Sequence, residues 1–249
     1  MSAIRIGQIV PSSNTTMETE VPALLRAREA IAPERFTFHS SRMRMKHVTA
    51  EELARMDADS GRCALELSDA RVDVMAYACL VAIMSMGLGY HRASSSRLHG
   101  ITVENGAPAP VVTSAGALVE GLHTLGARRI AVVTPYMRPL TKLVAEYIEH
   151  EGVSVAETIS LEISDNLAVG RRDPLALVEV AGRLQLRDVD TIVLSACVQM
   201  PSLAAIDAVE AAHGLPVVTA SVATVHALLR ALELSTKVPG GGKLLDGTF

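Results

Sequence analysis

Short runs of aliphatic and β-branched residues alternate along the chain with longer stretches whose apolar positions recur at helical spacing. Residues 4–10, 36–40, 72–78, 111–114, 130–134, 153–159, 191–196 and 217–220 read as strands. Between them, residues 15–28, 50–68, 140–151 and 174–186 carry amphipathic helical patterns, and a final helix is expected over 221–234. Alternation of this kind predicts α/β architecture, with parallel sheets covered by helices.

The pattern occurs twice. R-I-G-Q-I-V-P at 5–11 matches R-I-A-V-V-T-P at 129–135, and A-Y-A-C at 76–79 has its counterpart in L-S-A-C at 194–197. P-V-V-T-S-A at 110–115 returns as P-V-V-T-A-S at 216–221, each leading into a helical stretch. Matched blocks in the same order imply two similar α/β halves facing each other. The first is residues 1–112 joined by a returning C-terminal helix in 222–249; the second is 113–221. The Gly-rich end from Val238, V-P-G-G-G-K, is expected to be flexible.

Ligands of open parallel sheets bind beyond the carboxyl ends of the strands. Cys79 and Cys197 each end a strand, one per half, which predicts that they line opposite walls of a cleft between the halves. A single buried cysteine is commonly a small apolar filler; the repeat is what favours chemistry for this pair. Cys63, inside the helical run G-R-C-A-L-E-L-S-D-A, reads as packing.

The loop V-P-S-S-N-T-T-M-E at 10–18 joins the first strand to the first helix with five small polar residues together. Part of it is expected to cap the helix, with Glu18 placed for a capping box with Thr15. The remaining donors, at a helix N-terminus, suit an anion. Without the Gly-rich spacing and Lys of a phosphate loop, a carboxylate is favoured over a nucleotide phosphate, with Asn14 as leading donor. In the second half T-P-Y-M-R-P-L offers Tyr136, and E-I-S-D-N-L-A-V-G offers Asn166, with Asp165 read as a cap and Arg138 as a solvated helix start.

Composition narrows the classes. Nearly half of the 249 residues are apolar and the net charge is −4, which favours neither nucleic acid nor an anionic membrane surface. No apolar run is long enough to span a bilayer, no secretory signal is visible, and an odd number of cysteines without regular spacing fits a reducing cytoplasm. The eight histidines are scattered, with no H-x-x-x-H or C-x-x-C, so no metal is expected. There is no G-x-G-x-x-G for a dinucleotide and no G-x-S-x-G for an α/β-hydrolase.

V-P-S-S-N-T-T-M-E, Y-A-C-L-V-A-I-M-S-M-G (77–87) and S-A-C-V-Q-M-P (195–201), with H-S-S-R-M-R-M (39–45), resemble the maleate cis–trans isomerases of the aspartate/glutamate racemase superfamily. The resemblance covers essentially the whole chain. It implies two α/β domains related by a pseudo-twofold, a homodimer, no cofactor, and a cysteine from each domain at the active site. It also implies substrate contacts at Asn14, Tyr136 and Asn166. Amino-acid racemases of the superfamily carry C-N-T and C-T after their cysteines; here these places read Leu80-Val81 and Val198. Aliphatic walls suit a dicarboxylate without an amine, namely maleate, better than an amino acid. Arylmalonate decarboxylases are similar but lack the first cysteine. The implied reaction is isomerisation of maleate to fumarate, with Cys79 as nucleophile and Cys197 as its counterpart. A racemase or decarboxylase of the same fold stands as the alternative, as does a redox or binding module in which Cys79 and Cys197 form a disulfide.

Overall fold

The computed structural model describes residues 3–249. Its first half contains β1 (Ile4–Pro11), α1 (Met17–Glu29), β2 (Phe36–Met43), α2 (Ala50–Asp69), β3 (Val74–Tyr77), α3 (Leu80–Ser85), α4 (Tyr90–Glu104) and β4 (Val111–Thr113). After α5 (Ser114–Thr124) the second half follows as β5 (Arg129–Thr134), α6 (Arg138–His150), β6 (Ser154–Ser160), α7 (Asn166–Gly170), α8 (Ala176–Ala181), β7 (Thr191–Ser195), α9 (Ile206–His213) and β8 (Val217–Thr219). The chain then forms α10 (Ala220–Ala231).

Two four-stranded parallel sheets result, ordered β2-β1-β3-β4 and β6-β5-β7-β8, so the sequence repeat is also a repeat of topology. Small hydrogen bonds repeat with it. Asp73 Oδ2 accepts from Arg5 N at 2.6 Å, and Asp190 Oδ2 accepts from Arg129 N at 3.1 Å. Thr113 and Thr219 cap α5 and α10, accepting from Gly116 N and Val222 N. These two helices also tie the halves together. α5 packs against β8 and α10, while α10 packs back against α1, β3 and β4 of the first sheet.

Several elements depart from the sequence pattern. The expected helix over 174–186 is only α8, because from Gly182 onward the N–H groups of Arg183 and Leu184 bond three residues back and the turn tightens. α3 was hidden because L-V-A-I-M-S is apolar all round and buried all round, without periodicity. α4 was hidden for the opposite reason: its buried stripe is Ser94, Leu98 and Thr102, two of them polar.

The tail is not a flexible end. Val238, Leu244 and Leu245 are buried, Val238 N donates to Leu245 O at 2.8 Å, and Lys243 N donates to Glu210 Oε1 at 2.9 Å. Gly242 takes φ +64°, where a side chain would be strained, so here the glycine run builds a compact turn against α10.

Candidate active site

In each sheet the strand order reverses between the first and third strands, β1/β3 and β5/β7. That reversal opens a crevice beyond the carboxyl ends of those strands. Four of the residues singled out from sequence lie in loops or helix starts following these four strands: Asn14 after β1, Cys79 after β3, Tyr136 after β5 and Cys197 after β7. Ala78 N donates to Ile9 O at 2.8 Å and Ala196 N to Val133 O at 3.1 Å, so each cysteine stands one residue past a matched pairing with its central strand.

Both thiols are free and buried, Cys79 at 6% and Cys197 at 5% exposure. Each feels the surroundings of the other half. Burial pushes the Cys79 thiol up to about 12; the Ala82 N–H opposes the rise, while the Cys197 sulfur and then the Asp57 carboxylate add to it. Burial raises Cys197 as well, against the Tyr136 hydroxyl and the N–H groups of Gln199 and Met200. Gln199 N stands 3.4 Å from Cys197 Sγ. The Tyr136 hydroxyl is held well above its ordinary value by burial first, then by the sulfurs of Cys197 and Cys79. One phenol therefore senses both cysteines. In the resting site desolvation outweighs the backbone N–H groups that favour the thiolates, and the thiols stay protonated.

The loop after β1 is employed differently from the sequence reading. Thr16 precedes α1 without a side-chain cap bond, the cap acceptor is Asn14 Oδ1 and not Thr15, and Glu18 pairs with Arg42 instead of closing a capping box. The helix N-terminus is not a vacant anion site, since Gln199 Oε1 accepts from Thr15 N at 2.9 Å and Thr16 N at 3.4 Å. Asn14 Oδ1 takes Met17 N at 3.0 Å. Ser12 Oγ accepts from Met45 N, and Ser13 Oγ accepts from Asn166 Nδ2 at 2.8 Å. Among the described residues the loop still offers donors, the Asn14 Nδ2 group and the Thr15 hydroxyl, neither of which makes a hydrogen bond, and the Ser13 hydroxyl, which only accepts.

Asn166 begins α7 beside Asp165, whose carboxylate caps Leu167 N as read from sequence. Leu80 and Val81, in the first turn of α3, and Val198 are buried at 3% exposure or less. Arg138 is exposed and pairs with Glu162. Cys63 is buried in α2, away from these loops. A cavity of about 80 Å³ lies beside the site, with Tyr136, Asn166 and Val169 on the second-half side and Val48 from the first. Among the described residues no cluster of His, Cys, Asp and Glu has metal-binding geometry, and no helix is long and apolar enough to cross a membrane.

Two residues of this region carry little signal in the sequence. Gln199 and Glu20 both reach across between the halves, Glu20 accepting from Ser202 N at 2.5 Å and Leu203 N at 3.0 Å. A lone glutamine in the apolar C-V-Q-M-P was the available hint for Gln199.

The arylmalonate decarboxylase family model matches residues 6–245. The maleate isomerase of Pseudomonas putida is 64% identical over 245 residues, covering 98% of each chain. The chain belongs to the maleate isomerase family. Among solved structures, a cysteine-to-alanine variant of a Pseudomonas putida maleate isomerase with maleate superposes with a TM-score of 0.98 at 66% identity, covering 99% of each chain. A cysteine-to-serine variant of the Nocardia farcinica maleate cis–trans isomerase, with a covalently bound succinylcysteine intermediate, gives a TM-score of 0.94 at 46% identity over 98% of this chain and 99% of that one. This membership makes the chain an enzyme and agrees with the two-sheet α/β architecture that the repeat implied.

Proposed function

We propose that the enzyme converts maleate to fumarate by reversible addition of Cys79 to the substrate alkene. The observation that carries the reading is the pair of buried thiols, each one residue beyond a matched strand end at its sheet's switch point, with the Tyr136 hydroxyl beside both. The succinylcysteine on the Nocardia relative supports it, because that adduct must sit on a cysteine other than the one exchanged for serine.

Rotation about a C=C bond is blocked until the bond loses its double character. Attack by the Cys79 sulfur forms an S–C bond at one alkene carbon and moves the π pair to the other, where the adjacent carboxylate delocalises it. The central bond is then single and turns. Cys197, protonated at rest, delivers its proton to the second carbon and takes up in its place the proton that Cys79 gives up, so the two transfers balance. Elimination runs these transfers backwards and leaves the trans alkene. Because burial raises the resting Cys79 thiol to about 12, the sulfur must attack as its proton leaves and not as a preformed thiolate. In this reading Asn14 Nδ2 and the Tyr136 hydroxyl bind the carboxylates together with Asn166, and Leu80, Val81 and Val198 keep water from the intermediate. The division into residues 1–112 with 222–249 and 113–221 belongs to the same reading, supported by the crossing of α5 and α10 between the sheets.

Incubation with maleate, aspartate and an arylmalonate, each followed by NMR, tests the assignment. Fumarate should appear from maleate while the other two are unchanged; racemisation or loss of carbon dioxide without fumarate would assign a sister activity of the fold.

A further inference from the structure

We propose that Gln199 is a positioning residue that holds the two substrate-binding loops in register with Cys197; this rests on the reading of Asn14 and Asn166 given above. Its side chain is 3% exposed and saturated with partners from two segments. Oε1 accepts from Thr15 N at 2.9 Å and Thr16 N at 3.4 Å, flanking Asn14 in the first half. Nε2 donates to Ser13 O at 3.2 Å and to Asn166 O at 2.9 Å in the second half. Its backbone is engaged too, with its N–H on Cys197 Sγ at 3.4 Å and its C=O accepting from Thr16 Oγ1 at 2.8 Å.

Among the described residues, no other side chain of the site joins the residues on either side of Asn14, the first residue of α7 and the loop of Cys197. A carboxamide suits the place because it is acceptor on one side and donor on the other. An apolar replacement leaves two N–H groups and two carbonyls of these loops without their partner, while a carboxylate keeps the acceptor and loses the donor. The approach is close enough to constrain a neighbour. A Cβ on Gly170, at the end of α7, would stand 2.5 Å from Gln199 Nε2 and 3.1 Å from its Cδ. Alanine is ordinarily the better helix former, so damage at Gly170 would report displacement of the Gln199 head group and not a weakness of the helix itself.

The Gln199 side chain touches none of the reacting atoms, and the backbone N–H that meets Cys197 Sγ survives its replacement, which fixes what loss of the carboxamide should do. Misaligned carboxylate donors weaken capture of maleate, so KM should rise more than kcat falls. Removing a buried partner of this kind corresponds to roughly a 10- to 100-fold loss in kcat/KM.

The test is a kinetic cycle on purified enzyme with maleate, comparing wild type, Gln199→Ala, Gly170→Ala and the double variant. Both single variants should raise KM, and the double variant should be no worse than Gln199→Ala, because the alanine methyl then has room. KM within twofold of wild type in Gln199→Ala, or full additivity in the double variant, would overturn the proposal. If Gln199→Ala does not fold, Gln199→Met fills its volume and takes its place in the cycle. If that fails as well, Gly170→Ala alone decides, by a raised KM or an unchanged one. Wild-type enzyme that leaves maleate untouched would instead sink the proposed function, so the two failures are distinguishable.

Discussion

Asn166 Nδ2 donates to Ser13 Oγ at 2.8 Å, a bond between the first helix turn of one half and the first loop of the other. The amide that the mechanism offers to substrate is thus partly engaged with its own protein, and Ser13 sets where it points. Ser13→Ala should free this amide and loosen the loop, raising KM severalfold with little change in kcat. Asn166→Ala should cost more, because it removes a candidate carboxylate donor as well. Steady-state kinetics with maleate compares them, and equal effects would make Asn166 a strut only.

Asn14 divides its work between its two ends. Oδ1 caps α1 through Met17 N, and Nδ2 remains available to a carboxylate. Asn14→Asp keeps the cap acceptor and places a negative charge where the dianion must bind. Asn14→Ala should lose about 1 kcal/mol of stability with the cap and weaken maleate binding by about 1.5–3 kcal/mol. The aspartate variant should melt near wild type yet bind maleate at least as poorly. Full activity in the aspartate variant would leave Asn14 as a cap alone.

The strands and their order of repetition were legible because β-branched runs end at matched proline or cysteine positions, and the strand-end place of Cys79 and Cys197 followed from that. The work done by the first loop was not legible. Its polar residues satisfy partners far off in sequence, Gln199 lying 186 residues from Ser13 and 33 from Asn166. No local pattern encodes such bonds, so five polar residues read as an excess of donors when most were already spent on cross-loop contacts. The tail was misread for a related reason. Glycine permits flexibility and equally permits the left-handed turn at Gly242, and only the burial of Leu244 and Leu245 decides between them.

Leu244 tests that burial. Both it and Leu245 are fully inside, against α10. Leu244→Ala should destabilise by about 2–5 kcal/mol in urea unfolding, a core-sized effect from a residue five before Phe249. A loss below about 0.5 kcal/mol, the range of surface substitutions, would return the tail to a loose end.

Stability should also fall on both sides of neutrality through buried groups. Cys79 is raised from 9.0 to about 12, so the unfolded chain releases its proton first and stability declines as pH rises through that interval. His226, fully buried in α10 with neither ring nitrogen hydrogen-bonded among the described residues, is lowered from 6.5 to about 4 by burial and then by Arg230. The unfolded chain takes up its proton first, and stability declines as pH falls from 6.5 towards 4. Melting curves should show the alkaline slope reduced in Cys79→Ala and the acid slope reduced in His226→Leu, each without effect on the other limb.

The two cysteines are equivalent by topology, so the choice between them has to come from chemistry. If Cys79 attacks, Cys79→Ala should lose isomerisation entirely and form no adduct with maleate, while its fold persists, because alanine fits a site already apolar in Leu80 and Val81. Cys79→Ser should be nearly dead too, since a hydroxyl ionises far less readily than a thiol. Cys197→Ala should behave differently. Without the residue that moves protons to and from the second carbon, addition and elimination both slow, so turnover should be poor and the succinyl adduct that does form should persist on Cys79. Peptide mass spectrometry of both variants after incubation with maleate reads this directly, with Cys63 as the internal control. An adduct on Cys197 in Cys79→Ala, and none on Cys79 in Cys197→Ala, would exchange the two roles.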